Sequence, residues 1–158
     1  MSTTVSPSIE LDAWVGFVRS HAAITRQLNV DLLNAHGLTL SDYEVLLLLA
    51  RAEGGMMRRV DLAESVVLTA SGITRLLDGL QHSGYVEKAV CASDARVSYA
   101  KLTDAGHAKF AEASLTHRAG IEELFTSRYS PSELVTLAEL VSRLPMTGKA
   151  CGGARSCG

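Results

Sequence analysis

The sequence has few of the residues that small secreted or membrane-bound proteins depend on. Aromatic residues make up 5% of its 158 residues, and three cysteines, Cys91, Cys151 and Cys157, are too few and odd in number for a disulfide framework. No apolar run approaches the ~20 residues that cross a bilayer. The start, MSTTVSPSIELD, lacks the basic and apolar regions of a signal peptide. We therefore expect one cytoplasmic domain with an aliphatic core and no membrane contact.

Motifs of the common enzyme classes are also missing. The sequence contains no P-loop, no GxGxxG after a strand, no HExxH and no GxSxG. Its five histidines are not grouped with carboxylates at the spacing of metal ligands. We therefore expect that the chain is not an enzyme, requires no cofactor and holds no metal.

Charge gives only a weak indication of a partner. The net charge is −2, which argues against a strongly basic nucleic-acid-binding protein. Residues 58–101 carry six Lys and Arg against five Asp and Glu, and they form the only net-positive third of the chain. Charge alone would not identify a DNA-binding site.

Periodicity predicts a helical chain interrupted by one β-hairpin. Capping boxes are expected at Ser41 with Glu44 and at Ser130 with Glu133, and Gly84 follows the fourth helix as its C′ residue. The predicted helices cover 9–35, 41–52, 58–66, 69–83, 103–128 and 131–144, and the predicted strands cover 85–90 and 96–102. This order indicates a mostly α (α+β) fold, a winged helix-turn-helix with flanking long helices.

The fourth predicted helix carries two different faces. Ile73, Leu76, Leu77 and Leu80 form an apolar stripe at helical spacing, which would pack on the third helix. A helix fits the major groove of B-DNA when its other face offers short polar groups and an arginine for guanine. The residues predicted to contact DNA on this helix are Thr69, Ser71, Thr74 and Arg75. The alternative is that the polar face is simply a solvated surface.

The predicted hairpin carries an acidic and a basic residue near its tip. Arg96 at the tip of a wing can enter the narrow, negative minor groove, and Asp94 can hold its guanidinium in a bidentate pair. The alternative is a solvated turn with a surface ion pair, which contributes little. An isolated hairpin is marginally stable, so its presence after a helix-turn-helix favours the DNA-contacting role.

Taken together, these pieces resemble the MarR family of transcriptional regulators. The resemblance covers about residues 38–106, and its pieces hold their spacing without a gap. They are Leu62-Ala63-Glu64, Thr74-Arg75, Leu80, Gly84-Tyr85-Val86-Glu87-Lys88, Asp94-x-Arg96 and Leu102-Thr103-x-x-Gly106.

The resemblance implies a homodimer on a palindromic double-stranded DNA site. Residues 9–35 and 103–144 would form the helical dimerisation region and 38–102 the DNA-binding lobe, with 145–158 as a flexible Cys/Gly tail. The apolar stripes of the long helices would bury both the chain's own core and the dimer interface. Where the family has basic residues, this chain has Gly79, His82, Ser83, Ala89 and Ala95. We therefore expect few phosphate contacts and a shallow salt dependence.

The resemblance also implies a small aromatic effector bound between the dimerisation region and the DNA-binding lobe. Trp14, His21 and Tyr43 are the candidate walls of that cleft, although the apolar stripe favours Trp14 as ordinary core, and His21 is expected to be a surface histidine or one with its hydrogen bonds satisfied. A rival input is thiol chemistry at Cys91, Cys151 and Cys157, which could sense oxidant or bind a soft metal or metalloid. The alternative is that these thiols are unreactive.

The sequence therefore predicts a DNA-binding transcriptional regulator, and the resemblance implies that it acts as a repressor and is released by a small ligand. Two alternatives remain: a redox-responsive or metal-responsive regulator that uses the cysteines, and a winged-helix interaction module that does not bind DNA.

Overall fold

The structure, a computed structural model, describes residues 7–66, 68–90, 93 and 95–145. Six α-helices, three short strands and two single 3₁₀ turns, Glu53–Gly55 and Thr126–Arg128, make up the regular elements of these residues. The helices are α1 (Pro7–His36), α2 (Leu40–Arg51), α3 (Arg59–Ser65), α4 (Ala70–His82), α5 (Asp104–Leu124) and α6 (Pro131–Val141), and the strands are β1 (Met56–Arg58), β2 (Val86–Val90) and β3 (Ser98–Leu102). This arrangement confirms the predicted mostly helical, winged helix-turn-helix fold.

The sheet has one strand more than the predicted hairpin. β2 and β3 pair antiparallel from Val86 opposite Leu102 to Val90 opposite Ser98. β1 pairs antiparallel with the other edge of β3, which places Arg58 opposite Tyr99 and gives the order β1-β3-β2. The predicted hairpin is therefore confirmed, whereas β1 was not predicted; this third strand attaches the wing to the start of α3.

The start of α2 also differs from the sequence prediction. The N-cap is Thr39 rather than Ser41, and its hydroxyl accepts a hydrogen bond from the Asp42 backbone N–H. The Asp42 carboxylate accepts from the Thr39 N–H at 2.8 Å and so completes the capping box. The predicted box of Ser41 with Glu44 is wrong, whereas the box of Ser130 with Glu133 at the start of α6 is confirmed.

The core lies inside the winged lobe and is aliphatic, as the composition indicates. α2 runs through its centre, and Val45, Leu46 and Leu49 are fully buried there. The other buried members come from the end of α1, from α3 and α4, from the sheet and from α5. Burial of this apolar surface, at roughly 25 cal/mol per Å², is the main term that fixes α4 on the lobe.

The long flanking helices are much less covered than the lobe. In α1, none of residues 8–27 is buried, and α6 has no buried residue at all. All but two of the large exposed apolar side chains of the described residues lie on α1, α5 and α6 or just beyond the last two. The two exceptions are Val60 and Val90 in the lobe.

Candidate nucleic-acid interface

One face of α4 is fixed in the lobe by apolar burial. Ile73, Leu77 and Leu80 are between 3% and 5% exposed, and Leu76 is half-buried beside them. The helix begins where predicted, because the Thr69 hydroxyl accepts a hydrogen bond from the Gly72 N–H at 3.1 Å. This N-cap supplies one of the partners that the first turn of a helix lacks.

The opposite face of α4 is open to solvent. Ser71, Thr74, Arg75 and Asp78 are all exposed, and none of them is covered by another element of the described chain. Within the described residues Arg75 has no hydrogen-bond or ion-pair partner, so its five N–H donors are available to a ligand. The predicted DNA-contacting residues of this helix therefore share one accessible face.

Local hydrogen bonds decide what the hydroxyls on this face can do. Thr74 donates its hydroxyl proton to the Ala70 carbonyl at 2.8 Å, and the Thr69 and Ser71 hydroxyl oxygens lie 3.2 Å apart. A threonine whose proton is already donated offers a lone pair and a methyl group. It therefore suits a base amino group or a thymine methyl better than a phosphate, which only accepts.

The wing begins at a tightly bonded junction below α4. Gly84 has φ +79°, the conformation that ends the helix and that side chains other than glycine rarely adopt. The Thr103 hydroxyl donates to the Gly84 carbonyl at 2.6 Å, and the Thr103 N–H donates to the Tyr85 carbonyl at 3.1 Å. These bonds join the end of α4, the start of β2 and the start of α5 in one place.

The tip of the wing is described only in part. Arg96 is exposed and lies two residues before β3 begins at Ser98. Asp94 lies outside the described residues, as do Cys91, Cys151 and Cys157, so the predicted Asp94–Arg96 pair and the thiol chemistry stay predictions. No group of three His, Cys, Asp or Glu side chains within the described parts of the chain is arranged to hold a metal ion.

An aromatic cluster lies where α2 of the lobe meets α5. The Tyr43 ring stacks on Phe110 with centroids 5.7 Å apart and contacts the His117 ring at 4.4 Å. Its hydroxyl lies 3.3 Å from the Ser114 hydroxyl. Tyr43 was predicted from the sequence, whereas Phe110 and His117, which follow it by more than 60 residues in the chain, were not.

The three residues predicted to line an effector cleft differ in their surroundings. Tyr43 is buried and His21 is exposed. Trp14 is 63% exposed on α1, so the interpretation of Trp14 as ordinary core is wrong for the subunit on its own. Burial raises the pKa of the nearby Glu44 carboxyl, and the charge of His21 opposes that increase. Binding of an effector by these three residues stays a prediction.

The position of His117 leads to a pH dependence of stability. Partial burial lowers the pKa of His117 below its ordinary value of about 6.5. The unfolded chain therefore binds this proton more readily, and stability falls as the pH drops below about 6.5 toward the lower pKa of the folded state. In thermal unfolding from pH 7.5 to 5, His117→Gln should give a shallower loss of Tm than the parent. Parallel curves of Tm against pH for the two proteins would contradict this prediction. The shifted pKa of Glu44 also affects stability, but Glu44 is present in both proteins, so its effect cancels in the comparison.

No described helix is both long enough and apolar enough to cross a membrane.

Comparison with known proteins supports the same architecture. A model of the MarR family matches residues 36–97. The HTH-type transcriptional regulator MhqR of Bacillus subtilis (strain 168) is 23% identical over 139 residues, which are 88% of this chain and 93% of that protein. The crystal structure of AbsC, a MarR family transcriptional regulator from Streptomyces coelicolor, superposes with a TM-score of 0.80 at 28% identity and covers 89% of this chain and 95% of its own.

A second solved structure shares the fold at lower identity. Sco3205, a MarR family transcriptional regulator from Streptomyces coelicolor solved in complex with DNA, has a TM-score of 0.80 at 22% identity and covers 88% of this chain and 90% of its own. These relatives are transcriptional regulators and not enzymes. The winged lobe, its exposed α4 face and the agreement with these relatives along most of the sequence lead to one conclusion: the lobe matches the MarR family, and the chain as a whole has the fold of its winged helix-turn-helix transcriptional regulators.

Proposed function

We propose that the chain is a cytoplasmic repressor that binds a palindromic double-stranded DNA site as a homodimer and is released by a small aromatic ligand. The observation that carries the proposal is the uncovered polar face of α4, with Arg75 at its centre and Ile73, Leu77 and Leu80 buried behind it. A helix of ~10 Å diameter that is packed against the protein on one side and exposed on the other fits a major groove of ~12 Å width.

Arg75 is the residue that should read a base. An arginine that pairs bidentately with guanine O6 and N7 discriminates by roughly 1–3 kcal/mol against other bases. Thr74 lies beside it as an acceptor, and Arg96 on the wing would reach the minor groove next to it. Sco3205, which has the same fold, was solved in complex with DNA, and this supports the proposed use of α4 and the wing.

The uncovered apolar faces of α1 and α6 support the dimer. An apolar helix with no buried residue is unusual for a subunit that acts alone, because exposed apolar patches of this extent mark interaction sites. A twofold partner would cover these faces and would place two α4 helices about one DNA turn apart.

The effector would act at the junction between α1, α2 and α5. Tyr43, Phe110 and His117 give this region aromatic surface, and Glu44 and His21 give it charge. A ligand wedged there would change the angle between the lobe and the long helices, and hence the spacing of the two α4 helices. A simple phenolic acid should weaken duplex binding by the parent and not by Tyr43→Ala; equal responses would remove Tyr43 from the site.

Arg75→Ala should abolish most of the sequence-specific binding. Duplexes selected by the purified protein from a random pool supply the probe, and the loss of affinity should be about 10- to 100-fold at unchanged dimer mass. Arg118→Ala, which removes an exposed arginine from α5, serves as the matched control and should bind like the parent.

Two results would contradict this function. If Arg75→Ala binds the selected duplex as tightly as the parent, α4 does not read the DNA. If the parent selects no duplex at any salt concentration, the chain is an interaction module that has kept the winged-helix shape.

A further inference from the structure

A bidentate ion pair lies at the start of α3. The Arg58 guanidinium donates from Nε to Asp61 Oδ2 at 2.7 Å and from Nη2 to Asp61 Oδ1 at 2.8 Å. The two side chains remain 49% and 35% exposed. Two of five N–H donors are used, so the other edge of the guanidinium is held in a fixed direction toward solvent.

This pair occupies positions that normally hold a helix cap. Arg58 is the N-cap residue of α3 and Asp61 is its N3 residue, yet Arg58 makes no side-chain capping bond. At the start of α2, the corresponding N-cap and N3 residues, Thr39 and Asp42, form a capping box in which each side chain bonds to the other's backbone N–H. An arginine at the N-cap gives up that stabilisation of the helix, which indicates that its charged side chain has another use.

The fold places Arg58 between the two elements that would approach DNA. Arg58 is the last residue of β1 and lies opposite Tyr99 of β3. Tyr99 is one position from Ser98, where β3 begins after the tip of the wing. The chain then enters α3, which packs against α4. The start of α3 is therefore flanked by α4 on one side and by the wing end of the sheet on the other.

We propose that Arg58 binds a DNA backbone phosphate and that Asp61 is the positioning residue that holds it for that contact. The inference rests on the proposed DNA-binding function. When α4 lies in the major groove, the first helix of the motif crosses the adjoining backbone, so a donor edge at its start meets phosphate oxygens. The pair is neutral as a unit and therefore acts through contact rather than through long-range attraction.

The decisive variant removes the pair without changing the net charge. Arg58→Thr with Asp61→Asn replaces a cation and an anion by neutral groups and puts a capping hydroxyl at the N-cap. A charge-assisted hydrogen bond to one phosphate at an exposed site contributes roughly five- to tenfold in affinity. Because the pair is neutral, we expect that loss at a nearly unchanged salt slope, with equal losses on specific and unrelated duplexes.

A second ion pair in the same sheet provides the matched control. Lys101 Nζ lies 3.7 Å from Glu87 Oε1 at the other end of the sheet, where Lys101 is opposite Met56. Lys101→Gln with Glu87→Gln also removes one neutral pair, and it should leave DNA affinity and the salt slope unchanged. Thermal unfolding of both double variants shows whether either has lost its fold.

Arg58→Lys tests the positioning role separately from the charge. Lysine keeps the charge but is a single point donor, so it cannot bind Asp61 through two bonds and present a second fixed edge. We expect the affinity for every duplex to fall about two- to threefold at unchanged dimer mass, because lysine lacks the second fixed donor edge of arginine. Affinity equal to that of the parent would overturn the role of Asp61.

The outcomes separate this inference from the function on which it rests. If the parent binds selected DNA, Arg75→Ala loses it, and the Arg58–Asp61 double variant keeps the affinity of the parent, the phosphate contact is wrong and the DNA-binding function stands. If the parent binds no duplex, both are overturned.

Discussion

Replacing Gly106 with alanine should lower the free energy of unfolding by about 3 kcal/mol, because the site has no room for a methyl group. A Cβ built on Gly106 falls inside the contact distance of the Tyr85 carbonyl oxygen and lies 2.7 Å from Leu102 Cδ1. The first of these neighbours is backbone, so the clash cannot be relieved by rotating a side chain.

The clash should also damage the wing. The Tyr85 carbonyl that must move accepts a hydrogen bond from the Thr103 N–H, and the Thr103 hydroxyl caps α5 at the Gly106 N–H. Displacing this carbonyl therefore loosens the bonds that join α4, β2 and α5. Urea unfolding followed by circular dichroism measures the stability, and duplex binding measured on the fraction that remains folded reports the wing.

Two other glycines in the described helices provide matched comparisons. A Cβ on Gly79 in α4 meets nothing within 4 Å, so Gly79→Ala should raise stability by roughly 0.5–1 kcal/mol through helix propensity. A Cβ on Gly120 would lie 2.6 Å from Leu28 Cδ2, the end of a flexible side chain, so its cost should fall between the other two. Equal stabilities for Gly106→Ala and Gly79→Ala would show that the Gly106 contact is not restrictive.

α4 could be predicted because its residue pattern, its capping residues and its burial all agree. The stripe of Ile73, Leu77 and Leu80 has the helical period, and Thr69 and Gly84 cap its ends as expected. A residue pattern of this kind depends only on the helix and on which side is buried. Once the apolar stripe was assigned to the buried side of α4, the residues on the opposite side were predicted to be exposed.

The start of α2 was missed because two capping patterns overlap there. Thr39 with Asp42 and Ser41 with Glu44 both have the spacing of a capping box. The structure selects the first, since Leu38 before the cap and Tyr43 at N4 are then both buried, which is the hydrophobic staple arrangement. That choice depends on tertiary burial, which local spacing does not contain.

The remaining errors have similar causes. β1 is only three residues long, too short to show an alternating pattern, and it exists because β3 offers it an edge. The contact of Tyr43 with Phe110 and His117 depends on how α2 crosses α5. Nothing within either segment indicates it.

Leu11→Glu should convert the proposed dimer into monomers and lower affinity for a palindromic duplex by about a hundredfold or more, since two linked contacts become one. Leu11 is 61% exposed on the uncovered face of α1, so the subunit itself should fold and unfold as before. In a dimer the same position would be buried, and an unpaired carboxylate in an apolar interface costs several kcal/mol.

Val60→Glu is the control for this prediction, because Val60 is 60% exposed but lies in α3 of the lobe. The two variants introduce the same charge at the same exposure, and only their places in the fold differ. Sedimentation at micromolar concentration should show Leu11→Glu as a monomer and Val60→Glu as a dimer. Because Val60 lies next to Asp61 at the proposed phosphate contact, it controls the oligomeric state only. If both variants remain dimers, the uncovered face of α1 is not the interface, and the two α4 helices must be paired through another surface.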